Sequence, residues 1–205
     1  IVHLVERAGR ALHVAHEASL IHRDIKPGNI MITLEGDPIL LHFALARDEE
    51  GTGASITQTG ALMGTPAYMS PEQIAAQRIR LDRRTDVYSL GVTLYEAITL
   101  RLPFAASSRD SLYQKILVSD PDDVRRLNPA VPVDLKVVID KSLEKDRDRR
   151  YPTALEFAED LRRVRDNEPV KARPVSSVTR AARWMRRNPG VAVPAPIPAP
   201  AAPPA

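Results

Sequence analysis

His22-Arg23-Asp24-Ile25-Lys26-Pro27-Gly28-Asn29, passing into the apolar run Ile30-Met31-Ile32, sets a basic pair, a carboxylate, a lysine, a proline turn and an amide within eight residues. Upstream, Leu4, Ala8, Ala11, Leu12 and Ala15 recur at helical spacing, which predicts an amphipathic helix from Ile1 to about Ser19. Downstream, Ile30 to Thr33 and Ile39 to Leu41 have the composition of two short strands around the turn-forming cluster Glu35-Gly36-Asp37-Pro38. The polar stretch is then a loop between a helix and a small hairpin. On local chemistry alone Asp24 could serve as a backbone cap there.

The order of residues in this loop resembles the catalytic loop of the protein kinase family, H-R-D-L-x-x-x-N. Phosphoryl transfer needs little covalent chemistry from the protein. It needs one carboxylate to orient the acceptor hydroxyl and an oxygen ligand to hold a metal ion. The resemblance implies that Asp24 is the base, Lys26 contacts the transferred phosphate and Asn29 holds a magnesium ion. Lysine two positions after the aspartate is similar to the serine/threonine class.

Further stretches follow in the family's order. Gly64-Thr-Pro-Ala-Tyr-Met-Ser-Pro-Glu-Gln73 resembles the substrate-positioning loop and the Ala-Pro-Glu signature, so Thr65 is expected to hydrogen-bond toward Asp24 and Lys26. Glu72 stands where the family buries a carboxylate, which requires a partner, and Arg150 stands where the family keeps the matching arginine. Thr85 and Asp86 open a helical pattern through Val87, Leu90, Gly91, Leu94 and Ile98. By resemblance Asp86 accepts hydrogen bonds from the catalytic-loop backbone; as a plain sequence feature it is a helix cap, and both could hold. The Gly-, Ser- and Thr-rich stretch from Asp48 to Gly64 is similar to an activation segment. Thr57 and Thr59 would be its regulatory phosphorylation sites, with Arg23 as the phosphate partner; the alternative is an ordinary solvated loop.

The expected fold is mainly α: the C-terminal lobe of the protein kinase fold, an α+β family, with a small β-hairpin beside the catalytic loop. It covers residues 1–165, with later helical patterns at Ser111 to Leu117, Asp134 to Leu143 and Ala154 to Val164. A basic, juxtamembrane-like segment (166–190) and a Pro/Ala-rich disordered tail (191–205) follow. The sequence contains no glycine-rich phosphate loop, no Val-Ala-Ile-Lys strand and no partner glutamate, the parts that belong to the N-terminal lobe. That lobe is expected to be absent, and a chain that opens inside a helical pattern is expected to be a fragment.

One motif departs from the family. Where it carries Asp-Phe-Gly followed by Leu-Ala-Arg, this chain has His42-Phe43-Ala44-Leu45-Ala46-Arg47. The family's aspartate places a full negative charge on the magnesium that bridges the ATP phosphates. Magnesium prefers oxygen, and a protonated imidazole would repel it. Losing one such ligand costs on the order of several kcal/mol of transition-state stabilisation, and each ~1.4 kcal/mol is about tenfold in rate. Ala44 also removes the glycine that eases backbone rotation there. His3, His13 and His16 have no acidic or cysteine companions at metal spacing, and are expected on the surface or in packing.

Composition narrows the classes. With 205 residues the chain can bury a real core, and the absence of cysteine excludes a disulfide scaffold or thiolate zinc site and fits a reducing, cytoplasmic setting. The net charge is only +3, yet from Arg162 to Arg187 nine Lys or Arg stand against two acids. Residues 178–187 therefore fit either contact with an anionic membrane surface, giving a membrane-peripheral location, or a solvated tail. The prolines of 191–205 forbid a membrane helix at that point, and nucleic-acid binding has only charge and one tryptophan behind it. The expected partner is a protein, as substrate or as binding partner. The family activity is ATP-dependent phosphorylation of protein serine or threonine, with ATP and magnesium binding weakened here. A non-catalytic scaffold and a broken gene are the other classes.

Overall fold

The computed structural model describes residues 1–43, 65–75 and 81–173. Helix α1 (Val2–Glu17) opens the chain and buries Val5, Ala8 and Leu12; of the predicted apolar positions Leu4 and Ala15 are half-buried, and Ala11 is exposed because the buried face is centred on Val5 instead. It ends where Ser19 takes a left-handed backbone, φ 61°, and Leu20 N–H donates back to Ala15 O (3.0 Å). The chain then crosses the polar loop, anchored by the fully buried Ile25, and enters an antiparallel hairpin of β1 (Ile30–Ile32) and β2 (Pro38–Leu40). The register pairs Ile30 with Leu40, Met31 with Ile39 and Ile32 with Pro38. Pro38 is thus a strand residue rather than part of the turn, tolerated because it starts the strand. Gly36, φ 85°, makes the reversal, and Thr33 Oγ1 accepts from Asp37 N–H (3.1 Å).

A short helix α2 (Pro71–Ile74) precedes α3 (Arg84–Thr99), about which the lobe is built. Every residue of α3 from Thr85 to Tyr95 is buried, as expected of a helix enclosed on all sides rather than one with a single apolar stripe. Helices α1, α5 (Val124–Leu127), α6 (Val133–Ser142) and α7 (Ala154–Arg165) pack against it, and α4 (Arg109–Val118) lies against α2. Asp86 is the third residue of α3 and Arg83 its N-cap, so the carboxylate is not the cap of its own helix. The α5 turn has no periodic pattern in its four residues, Val-Arg-Arg-Leu. Asp123 starts it by accepting from Arg125 N–H (2.9 Å).

Gly91 sets the approach of α3 to α6. A Cβ at this position would lie 2.2 Å from Ser142 Oγ and 2.8 Å from Ser142 Cβ. Ser142 cannot swing away freely, because its hydroxyl donates to Ile139 O (2.7 Å) within its own helix. Gly91→Ala is expected to push the helices apart and lower stability by about 1–3 kcal/mol in urea denaturation, the range for overpacking. Double substitution with Ser142→Ala is expected to recover part of the loss.

One compact unit of the chain spans Ile1–Pro174. No helix among the described residues is long and apolar enough to cross a membrane.

Candidate functional site

The polar loop is held by a buried carboxylate beneath it. Asp86 Oδ1 accepts from Arg23 N–H (2.7 Å), and Oδ2 accepts from His22 N–H (2.8 Å) and from His16 Nε2–H (2.8 Å). Three donors fill three of the roughly four lone-pair sites of this carboxylate, and hydrogen bonds to a charged group contribute about 1.5–3 kcal/mol each. These bonds hold Arg23 in a left-handed backbone, φ 65°, immediately before Asp24. A second brace comes from Gln73. Its Oε1 accepts from Ser70 N–H (2.9 Å), Ser70 Oγ accepts from Gln73 N–H (3.3 Å), and its Nε2 donates to Arg23 O (2.8 Å). The Ser70-x-x-Gln73 capping box is visible in sequence, but its reach to Arg23 is not.

His22 is fully buried and joins the loop to the end of β2. Leu41 O can only accept, so His22 Nε2 carries the proton and donates to it (2.7 Å), leaving Nδ1 to accept from Asp24 N–H (3.3 Å). Phe43 meets the His22 ring edge to face at 4.7 Å.

On this support Asp24, Lys26, Asn29 and His42 form one hydrogen-bonded chain. Lys26 Nζ donates to Asp24 Oδ2 (2.8 Å). Asn29 Nδ2 donates to Asp24 O (2.7 Å) and Asp24 Oδ2 (2.9 Å), both of which only accept. That fixes the amide's orientation and leaves Asn29 Oδ1 facing His42 Nδ1 at 3.2 Å, so His42 Nδ1 is the protonated nitrogen and donates. Leu41 N–H donates to Asn29 O (2.9 Å), which brings the strand end over the amide, and His42 turns into the contact with φ 67°. Histidine is among the few residues besides glycine that enter this region readily.

Magnesium demands near-octahedral oxygen ligands at about 2.0–2.1 Å. Here the Asn29 oxygen is taken by an N–H and the neighbouring side chain offers nitrogen. Among the described residues no group of three or more histidines or acids is placed to hold a metal ion. The donors present do not fit magnesium.

Glu72 and Arg150 lie apart from this chain of contacts, as a buried pair. Arg150 Nη1 and Nη2 donate to Glu72 Oε1 (2.5 Å) and Oε2 (2.6 Å), Nε to Glu144 O (2.6 Å), and the remaining protons to Arg84 O and Lys145 O (3.2 Å each). All five guanidinium protons are used, and the Tyr88 ring lies 4.9 Å from the guanidinium carbon. Tyr88 is itself enclosed, and burial pushes its phenol well above the ordinary range.

Thr65 begins the 3-10 turn Thr65–Tyr68, but its side chain lies outside the described residues, as do Thr57, Thr59, Ala44 and the basic segment 178–187. Arg23 Nε is buried without a hydrogen-bond partner among the described residues. His16, assigned from sequence only to surface or packing, is a buried partner of Asp86, a role that no local spacing signals.

Comparison with known proteins places this geometry. Residues 1–160 match the protein kinase domain family. The serine/threonine-protein kinase PknB of Mycobacterium tuberculosis is 39% identical over 171 residues, 83% of this chain and 27% of that protein. A probable serine/threonine-protein kinase of Streptomyces coelicolor is 36% identical over 163 residues, 80% of this chain and 24% of that protein. Another from Clostridium perfringens is 36% identical over 164 residues, 80% of this chain and 23% of that protein. The chain spans about a quarter of the length of these curated relatives.

Proposed function

This chain belongs to the protein kinase family, in its bacterial Hanks-type serine/threonine branch, and on that premise we propose that its polar loop is the floor of a phosphoryl-transfer site whose metal position is closed by its own histidine. In this assignment Asp24 faces the acceptor hydroxyl of a protein serine or threonine, and Lys26 faces the phosphate. Asn29, the family's metal ligand, is committed to His42. Thr65 belongs to the substrate side. Arg23 would receive a phosphate carried by Thr57 or Thr59. Family members use ATP and magnesium, but no step is assigned to magnesium here, since the donors beside Asn29 do not suit it.

One observation carries this proposal: the hydrogen bond from His42 Nδ1 to Asn29 Oδ1. The same floor still presents Asp24 and Lys26 side by side, which supports a binding role toward a Ser- or Thr-containing protein segment without turnover. The test is phosphate transfer from ATP to a generic basic protein by the full-length natural protein, wild type against His42→Asp. We expect background transfer by the wild type and measurable transfer by the variant. Equal transfer by both, or none by either, counts against His42 as the deficit.

A further inference from the structure

Helix α7 ends in a hydrogen-bonded reversal. Asn167 takes φ 55°, Glu168 N–H donates to Arg163 O (2.8 Å) and Asn167 N–H to Val164 O (3.4 Å). This is the six-to-one and five-to-two pattern that turns a chain sharply at a helix C-terminus, with asparagine in the position usually held by glycine. Arg162 fastens the turn, its Nη1 and Nη2 donating to Glu168 Oε1 (3.1 Å) and Oε2 (2.8 Å). The chain after it is thereby directed back along the lobe. Val170 packs against the core, and Ala172 is 5% exposed.

What receives this returning segment is Asp160, a carboxylate only 1% exposed. Its Oδ1 accepts from Lys171 N–H (2.8 Å) and Arg163 Nη1 (3.2 Å); its Oδ2 accepts from Ala172 N–H (2.9 Å) and Tyr151 OH (2.9 Å). Burial and the Asp160 charge raise the Tyr151 phenol far above neutrality, so it keeps its proton and serves as donor. Two consecutive backbone N–H groups on the two oxygens of one buried carboxylate is a specific arrangement. A buried ionised group costs several kcal/mol unless its lone pairs are met, and here two of the four donors come from the segment itself. Without them Asp160 would be under-coordinated in a closed site.

We propose that Asp160 is a latch that straps residues 169–173 onto the lobe, so that the segment after α7 is held as part of the folded unit. Release exposes Val170 and Ala172 and strips Asp160 of two partners at once, so the strap opens as a unit rather than fraying residue by residue.

The latch is tested on the full chain by hydrogen exchange at the Lys171 and Ala172 amides, and by tryptic cleavage of the Lys171–Ala172 bond, quantified by mass spectrometry. Arg173 precedes Pro174 and is resistant, which leaves that bond as the reporter within the strap. In the wild type both amides are expected to be protected and the bond to be cut slowly. In Asp160→Asn, exchange and cleavage are expected to rise about tenfold or more while the amides of α3 keep their protection. Because Asp160 also holds Tyr151, a second variant, Ala172→Glu, displaces the strap and leaves the Tyr151–Asp160 bond intact; read by exchange at the Lys171 amide alone, since an acidic residue after lysine slows trypsin, it is expected to show the same rise. Wild-type exchange as fast as an unbonded amide, or unchanged protection in both variants, overturns the proposal.

Discussion

Replacing Arg150 with alanine is expected to lower the stability of the lobe by about 3–5 kcal/mol, the range for removing one partner of a buried ion pair. The loss has an identifiable anatomy. Glu72, 5% exposed, would be left buried without its partner, and the carbonyls of Glu144, Arg84 and Lys145 would each lose a donor. Since domains are stable by only about 5–15 kcal/mol, a change of this size removes a large share of the total. Arg150→Lys is expected to recover little, because an ammonium offers three protons where five acceptors wait in a fixed fork. Urea denaturation with unchanged slope and a midpoint shifted strongly down is the expected record. A midpoint within error of the wild type would show that the pair does not hold the short helix α2 to the lobe.

The second large effect concerns the metal position. His42→Asp is expected to fold, because aspartate shares histidine's tolerance of the left-handed region that position 42 occupies. The substitution puts a carboxylate beside the Asn29 oxygen and frees that oxygen from an N–H. Magnesium at about a hundred times its dissociation constant would then stabilise the variant by about 2.7 kcal/mol. A domain of this size would show this as a rise in melting temperature of roughly 5–10 °C. The wild type is expected to show no magnesium-dependent shift, with or without ATP. Equal shifts in the two proteins would mean that the histidine does not control the site.

Much of the floor was legible in the sequence because phosphoryl transfer and burial each demand particular residue types. The carboxylate, lysine and amide of residues 24–29 are short-range features, and the pairing of Glu72 with Arg150 was legible only through the family resemblance. The central helix was legible from its apolar run. What was not legible depends on where tertiary structure points a side chain. His42 could be recognised as the wrong residue, but not as a donor to Asn29, since that follows from the Leu41 hydrogen bond and a left-handed backbone. His16 looked like one of three ordinary helical histidines until α3 placed Asp86 beneath it. The strap at 169–173 was hidden by composition: its proline and two basic residues resemble a tether, and only the reversal at Asn167 returns it to Asp160.

The central claim is that Asn29 is bonded to His42 and so withheld from magnesium. It is tested most directly by titrating magnesium into the 15N-labelled full-length protein while following the Asn29 side-chain amide and the His42 ring nitrogens. The account predicts a protonated Nδ1 on His42, and Asn29 resonances that stay in place through millimolar magnesium. A saturable shift of the Asn29 amide in the wild type, with loss of the His42 Nδ1 proton, would contradict it.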